Sequence, residues 1–166
     1  MTREMISFMA GAQRFNFRAA GIALREGYVL VQRDRRDDFW ALPGGRVEKG
    51  EAGAAALARE VEEELGIAGT VGPLRFVMEN FFAYNGTRFH EIGFYYALDL
   101  PDAFSFSAYG AICHRCVEAA VELEFKWVPA EPGALAAHEF QPADLRGRIG
   151  DRVGAPEHLV RNEIGA

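Results

Sequence analysis

The sequence predicts an α/β domain of the mixed α+β kind, with helices packed on a twisted sheet. Three observations predict it. Residues 52–65 are rich in Ala, Leu and Glu and run into Gly66, which reads as a helix with its stop signal. Several apolar extended runs are separated by turn dipeptides, among them Asn85-Gly86. The run 122–128 alternates, with Leu123, Phe125 and Trp127 on one side and Glu122, Glu124 and Lys126 on the other.

The elements follow in order. Residues 17–24 are apolar and suit a strand, Arg25-Glu26-Gly27 is a turn, and residues 28–33 return as the second arm of a hairpin. Residues 34–38 form a charged loop. Trp40-Ala41-Leu42 is a short extended piece before the tight turn Pro43-Gly44-Gly45. After the helix, residues 74–82 and 89–98 are expected to pair across Asn85-Gly86. Residues 102–120 read as a long loop with at least a turn of helix, and residues 142–149 as a late helix. The first 16 residues, with Ile6 and Phe8, suit an extra strand that pairs between subunits, so monomer and homodimer both stay open.

Composition narrows the function classes. With 166 residues and 49% of them hydrophobic, the chain can bury a full core, and residues 1–166 are expected to form one domain. A formal charge of −6 and the lack of a long basic run argue against nucleic-acid polymers as partners. No apolar run approaches a membrane span, and Met1–Ala10 lacks a signal-peptide apolar block. A soluble, cytoplasmic protein with no membrane partner is expected. Cys113 and Cys116 read as two reduced thiols, since no second Cys pair exists, against a zinc site completed by a nearby His or a redox role.

The helix carries the chemistry. On a wheel of about 100° per residue, Glu60, Glu63 and Glu64 share one arc, Glu62 points elsewhere, and Ala54, Leu57, Ala58, Val61 and Leu65 form the buried stripe. Like charges three and four residues apart repel, and Arg59 is the one cation on the helix. Glu63 and Glu64 also lie in the last turn, where the helix dipole disfavours negative charge. A missing divalent cation explains this placement, and Mg²⁺ suits phosphate chemistry.

From Gly45 the chain reads Gly-x5-Glu51-x7-Arg59-Glu60-Val61-x-Glu63-Glu64-x-Gly66-Ile67, preceded by Trp40-Ala41-Leu42-Pro43-Gly44-Gly45. This resembles the signature of the Nudix hydrolases at every fixed position. The resemblance implies a mixed sheet between helices, with a loop-helix-loop signature. It also implies hydrolysis of a nucleoside diphosphate linked to another moiety X, by water attack on phosphorus with Mg²⁺, or Mn²⁺ in its place. By the same resemblance Glu60, Glu63 and Glu64 are metal ligands, with the Gly44 carbonyl beside them, and Glu60 and Glu63 belong to the catalytic set. Arg59 holds a signature glutamate, and Glu51 is structural or metal-associated.

Outside the signature, Glu91 shares a strand face with Gly93 and Tyr95. It is a candidate base or extra metal ligand, against an exposed strand carboxylate. Arg33 and Arg35, with Arg36, are candidates to grip phosphate, against a solvated loop balanced by Asp34, Asp37 and Asp38. Trp40 is a candidate to stack on a base, as are Phe81, Phe82 and Tyr84, against packing in the core. The substrate expected is a small nucleotide. The alternatives are a hydrolase of oxidised nucleoside triphosphates and a non-catalytic nucleotide sensor.

Overall fold

β2 (Gln13–Arg25) organises the molecule, because it pairs with four other strands. The structure, a computed structural model, describes residues 2–150 and 154–165. Residues 1, 151–153 and 166 of the expected domain lie outside the described residues. The other strands are β1 (Ser7–Ala10), β3 (Tyr28–Asp34), β4 (Gly44–Arg46), β5 (Thr70–Tyr84), β6 (Thr87–Asp99), β7 (Ile112–Glu118), β8 (Val121–Pro129) and β9 (Glu157–Asn162). The helices are α1 (Gly53–Leu65) and α2 (Pro132–Ala137).

The sheet order is β7-β8-β3-β2-β6-β5-β9, with β1 and β4 also on β2. The β2–β6 and β5–β9 pairs are parallel and the rest antiparallel, so the sheet is mixed. Alternate residues of β2 feed two cores. Ala19 and Ala23 pack with Leu57, Val61 and Leu65 of α1. Ala20 and Ile22 pack with Leu135 of α2 and with Phe140, Leu145 and Ile149. The expected sheet between helices is what forms.

Local signals explain most elements. Gly66 caps α1 in the left-handed conformation and its N–H reaches the Glu62 carbonyl, while Ala52 starts the helix without a side-chain cap. Asn85 and Gly86 both take positive φ and close the β5–β6 hairpin. Leu123, Phe125 and Trp127 face the α1 core.

Three expectations need correction. Residues 102–120 contain no helix: Ile112–Glu118 is β7, turned back into β8 by Ala119 and Ala120, both at positive φ. Residues 142–149 hold only a 3-10 turn at Ala143–Leu145, because Gly147 and Gly150 punctuate the segment, and the late helix is α2 instead. β1 pairs with β2 of the same chain. No helix among the described residues is long and apolar enough to cross a membrane.

The β2–β3 hairpin opens immediately after its turn. Only Leu24↔Val29 and Arg25↔Tyr28 pair, and β3 then continues with β8. The segment 41–46 threads the gap: Ala41 bridges Gln32, Gly21 N–H donates to the Pro43 carbonyl, and β4 pairs with Arg18–Ala20. This splay makes the cleft that holds the candidate site.

Candidate active site

α1 projects its carboxylates in two directions. Glu60 and Glu64, one turn apart, point inward and are 4% and 5% exposed. Glu118, at the end of β7, meets them, and one ligand oxygen from each lies within 4.8 Å of the others. Glu63 points outward into ion pairs with Arg3 (2.8 Å) and Arg59 (3.2 Å). The wheel groups Glu60, Glu63 and Glu64 on one arc, but in the folded protein Glu63 does not join the cluster. Two guanidiniums hold it away.

Arg59 is the organiser of this corner. Its Nε and Nη2 donate to the two Glu51 carboxylate oxygens at 2.8 and 3.0 Å, and its Nη1 donates to Glu60 at 2.6 Å. Nη2 also reaches the Arg46 carbonyl at 3.2 Å. Glu51 accepts from the Glu48 N–H, which ties the loop before the helix to the helix. The N-terminal segment joins the same corner. Arg3 bonds both Glu48 and Glu63, and the Lys49 N–H donates to the Glu4 carbonyl.

Electrostatics separate the glutamates. The Arg59 guanidinium holds Glu51 below the usual carboxylate range, and Arg3 does the same for Glu63. Burial pushes Glu60 up and outweighs its bond to Arg59. Burial beside Glu60 pushes Glu64 up to about 9. Arg59 is the one cation at ion-pair distance from this cluster among the described residues, and it reaches Glu60 alone, so three close carboxylates are under-compensated. Three hard oxygen donors fit a hard divalent cation, so the residues present suit the metal that the signature implies.

Two glycines make room. At Gly44 a Cβ would strike the Ala19 backbone, and at Gly45 it would enter the Glu60 carboxylate. The Gly44 carbonyl accepts from Gln32 Nε2 at 3.4 Å, while Gln32 Oε1 is buried without a partner. Gly44, Gly45, Arg46, Glu60, Glu64 and Glu118 line one cavity of about 440 Å³. A second cavity, of about 470 Å³, adjoins it and shares Arg18, Gln32, Tyr84 and Leu123. Phe39, Phe82 and Tyr95 give this second cavity apolar walls, and Asn80, Asp37 and Glu91 give it polar ones. Its size suits a nucleoside-sized group.

Glu91 lies in that second cavity and outside the carboxylate cluster. It is 8% exposed, which excludes the exposed strand carboxylate. Burial pushes its pKa up, against the charge of Arg18 and a hydrogen bond from Asn16. Tyr84 donates its hydroxyl to Asp37 at 2.8 Å and stacks edge-on with Phe39 at the cavity wall.

Two expected substrate contacts are corrected. Trp40 is 3% exposed and part of the core, with Arg33 over its ring at 4.5 Å and Lys126 at 4.2 Å. It has no face left for a base. Arg35 pairs with Glu122 at 3.0 Å and Arg36 with Asp34, both as solvent-facing pairs. Arg33 lines the second cavity but is engaged by Glu124 at 3.0 Å. Phe81 stacks on His90, whereas Phe82 does line the cavity.

The residues missed by sequence reasoning are Glu118, Arg18, Gln32, Asn80 and Arg46. Glu118 was hidden because its hairpin turns on Ala119-Ala120, which carries no turn signal. Cys113 and Cys116 are free thiols on β7 that pack against the α1 core, and burial pushes Cys116 up to about 11. Between them His114 Nε2 donates to the Glu64 carbonyl at 2.8 Å, which helps anchor the end of α1.

Comparison with known proteins gives a consistent picture. The family profile of the NUDIX domain matches residues 15–144. A Mycobacterium tuberculosis protein named putative 8-oxo-dGTP diphosphatase 2 is 37% identical over 128 residues, covering 70% of this chain and 83% of that one. Diphosphoinositol polyphosphate phosphohydrolase 2 of Rattus norvegicus is 41% identical over 70 residues, covering 40% of this chain. The match spans 39% of the length of that rat protein. The crystal structure of a MutT NUDIX hydrolase from Burkholderia pseudomallei superposes with a TM-score of 0.52 at 28% identity, covering 70% of this chain and 84% of that one.

Proposed function

From the premise that the chain belongs to the Nudix family of hydrolases, which act on pyrophosphate bonds of nucleotide-like substrates, we propose that it cleaves a nucleoside diphosphate linked to a moiety X with the help of Mg²⁺ or Mn²⁺. The observation that carries the reading is the adjacency of two cavities, one walled by aromatic rings and the other floored by Glu60, Glu64 and Glu118.

In this reading Glu60, Glu64 and Glu118 hold the cation. When bound, it supplies charge neutralisation at the diphosphate and activation of water. The chain's own residues do the rest. Arg59 fixes Glu60 and Glu51, so the carboxylate geometry is set before substrate arrives. Phe82 and Tyr84 wall the space for the nucleoside and keep water from its ring faces. Proton removal from the attacking water needs a carboxylate that is not taken up by the cation. Glu91 is the candidate because it lines the adjoining cavity outside the cluster, while Glu63 is engaged by Arg3 and Arg59.

A second reading has X as a phosphate, which makes the substrate an oxidised nucleoside triphosphate. The similarity to the Mycobacterium tuberculosis protein favours it. One screen separates the two: nucleotide sugars, ADP-ribose, dinucleoside polyphosphates, NADH and oxidised triphosphates, each with Mg²⁺ and Mn²⁺. Turnover of a diphosphate linked to an organic group supports the first reading, and turnover confined to triphosphates supports the second. No turnover of any of them, by protein that binds Mn²⁺, overturns both. The screen also tests residues 1–166 as a self-sufficient domain.

A further inference from the structure

Glu118 is the exposed member of the carboxylate cluster, and it ends β7, the outermost strand on its side of the sheet. Among the described residues β7 pairs with β8 alone, and no ion pair holds the Glu118 side chain. The path of β7 therefore decides where that carboxylate stands. Side chains alternate along a strand, so His114, Cys116 and Glu118 share the face toward α1. On that face Cys116 packs against the α1 core and His114 packs on Phe125. A bulge between Ile112 and His114 produces this arrangement. Ile112 packs against the α2 core, and the extra residue turns His114 to the opposite face.

His114 then meets α1 at one atom. Its Nε2 donates to the Glu64 carbonyl at 2.8 Å. That carbonyl lies in the last turn, where helix carbonyls have no partner within the helix. The Gly66 N–H serves the Glu62 carbonyl instead. Phe104 and Phe125 flank the imidazole, with ring centroids at 6.0 and 5.6 Å, and set its plane. One face of β7 thus engages Glu64 twice. His114 bonds its backbone, and Glu118 meets its carboxylate.

We infer that His114 is a positioning residue, whose bond to the Glu64 backbone fixes the approach of β7 to α1 and so places the Glu118 carboxylate beside Glu60 and Glu64. The inference rests on the proposed reading of these three glutamates as the holders of the cation. His114 acts through Glu118 and touches neither cation nor substrate. A small, hard cation tolerates little error in the spacing of its oxygen donors. An exposed donor on an edge strand needs a second anchor besides its one ladder, and the imidazole supplies it.

The test is Mn²⁺ titration of metal-free protein, read beside thermal melting and without substrate. Wild-type protein, His114→Gln, His114→Phe, Glu118→Gln and the double variant His114→Phe/Glu118→Gln are compared. A glutamine brings an amide N–H to the place of the imidazole Nε2, so His114→Gln should stay within about twofold of wild-type affinity. His114→Phe keeps a ring beside Phe104 and Phe125 and loses the donor. It should weaken Mn²⁺ binding by about threefold to tenfold, the scale of one hydrogen bond. The double variant should bind no more weakly than Glu118→Gln alone, because the two residues act as one unit. Leu135→Ala, in the other core, should lower Tm and keep wild-type affinity, which separates positioning from lost stability. If His114→Phe fails to fold, His114→Asn replaces it with the same expectation, since its amide stops short of the Glu64 carbonyl. Wild-type affinity in His114→Phe, additive losses in the double variant, or an equal loss in Leu135→Ala overturns the positioning role and leaves the cation reading in place. Wild-type affinity in Glu118→Gln, or no Mn²⁺ binding by wild-type protein, removes both.

Discussion

The carboxylate of Glu60 occupies the volume that a Cβ on Gly45 would need. Arg59 also bonds that carboxylate at 2.6 Å, which ties Glu60 in place. Gly45→Ala should therefore keep the fold and displace Glu60. The expected result is Mn²⁺ affinity weakened by about tenfold or more, with a small change in Tm, read by Mn²⁺ titration and thermal melting. Unchanged Mn²⁺ affinity would show that Glu60 does not hold the cation.

The three clustered carboxylates should behave alike. Glu64→Gln and Glu118→Gln should each lower turnover by about a hundredfold and weaken Mn²⁺ binding, the scale of losing one preorganised electrostatic contact. Glu62→Gln, on the solvent side of α1, should change neither. Glu63→Gln gives up its bonds to Arg3 and Arg59, so its effect should fall between these limits. Wild-type metal binding in Glu118→Gln would remove β7 from the site.

A pH dependence follows from Glu64. In metal-free protein its carboxyl is pushed up to about 9 from an ordinary 4.5. Below the ordinary value it is protonated in both folded and unfolded chains, and its contribution to stability is fully present. Between the two values the unfolded chain ionises while the folded one keeps its proton, so stability falls as pH rises through that window. The Tm of metal-free protein should drop from pH 5 to pH 9 (about the limits set by the shift), and Glu64→Gln should flatten the drop. Mn²⁺ takes the proton's place, so its stabilising effect should grow with pH over the same window. Glu51 and Glu63, held down by arginines, act in the opposite sense and only in acid.

Arg59→Lys tests the corner that orders the loop. A lysine has one nitrogen and cannot serve Glu51 and Glu60 together. The loss should be about 2 kcal/mol of stability, the worth of one or two charge-assisted hydrogen bonds in a part-buried place. Urea denaturation measures it, and a change within error would mean that the network is only a surface feature.

The sequence carried those parts of the fold whose signals are local. α1, its Gly66 stop and the Asn85-Gly86 hairpin follow from propensity and turn chemistry within a few residues. The inward set of α1 was half legible. The wheel collects Glu60, Glu63 and Glu64, but Arg3, 60 residues away in sequence, decides that Glu63 faces out. Trp40 and Glu118 failed for the same reason. Whether an aromatic ring packs in the core or faces a ligand depends on Arg33 and Lys126 arriving from other strands. Glu118 reaches Glu64 only because β7 pairs beside β8 and packs near the end of α1. Glu91 was legible in part, since period-two alternation placed it beside Gly93 but said nothing of the cavity above it.

The parallel pairing of β2 with β6 carries a kinetic consequence. Gln13 pairs with Arg88 and Ala23 with Leu98, so this ladder closes a long excursion of the chain that includes β4 and α1. Contacts so distant in sequence are assembled late, after the entropy of closing a long loop has been met. Gly45 and Glu60 are both held against β2, through β4 and through the α1 core, so their register rests on a strand that the ladder anchors late, and α1 cut out as a peptide would hold no ordered carboxylate pair. Amide exchange should show the cluster and the β2–β6 ladder opening together, as one cooperative unit.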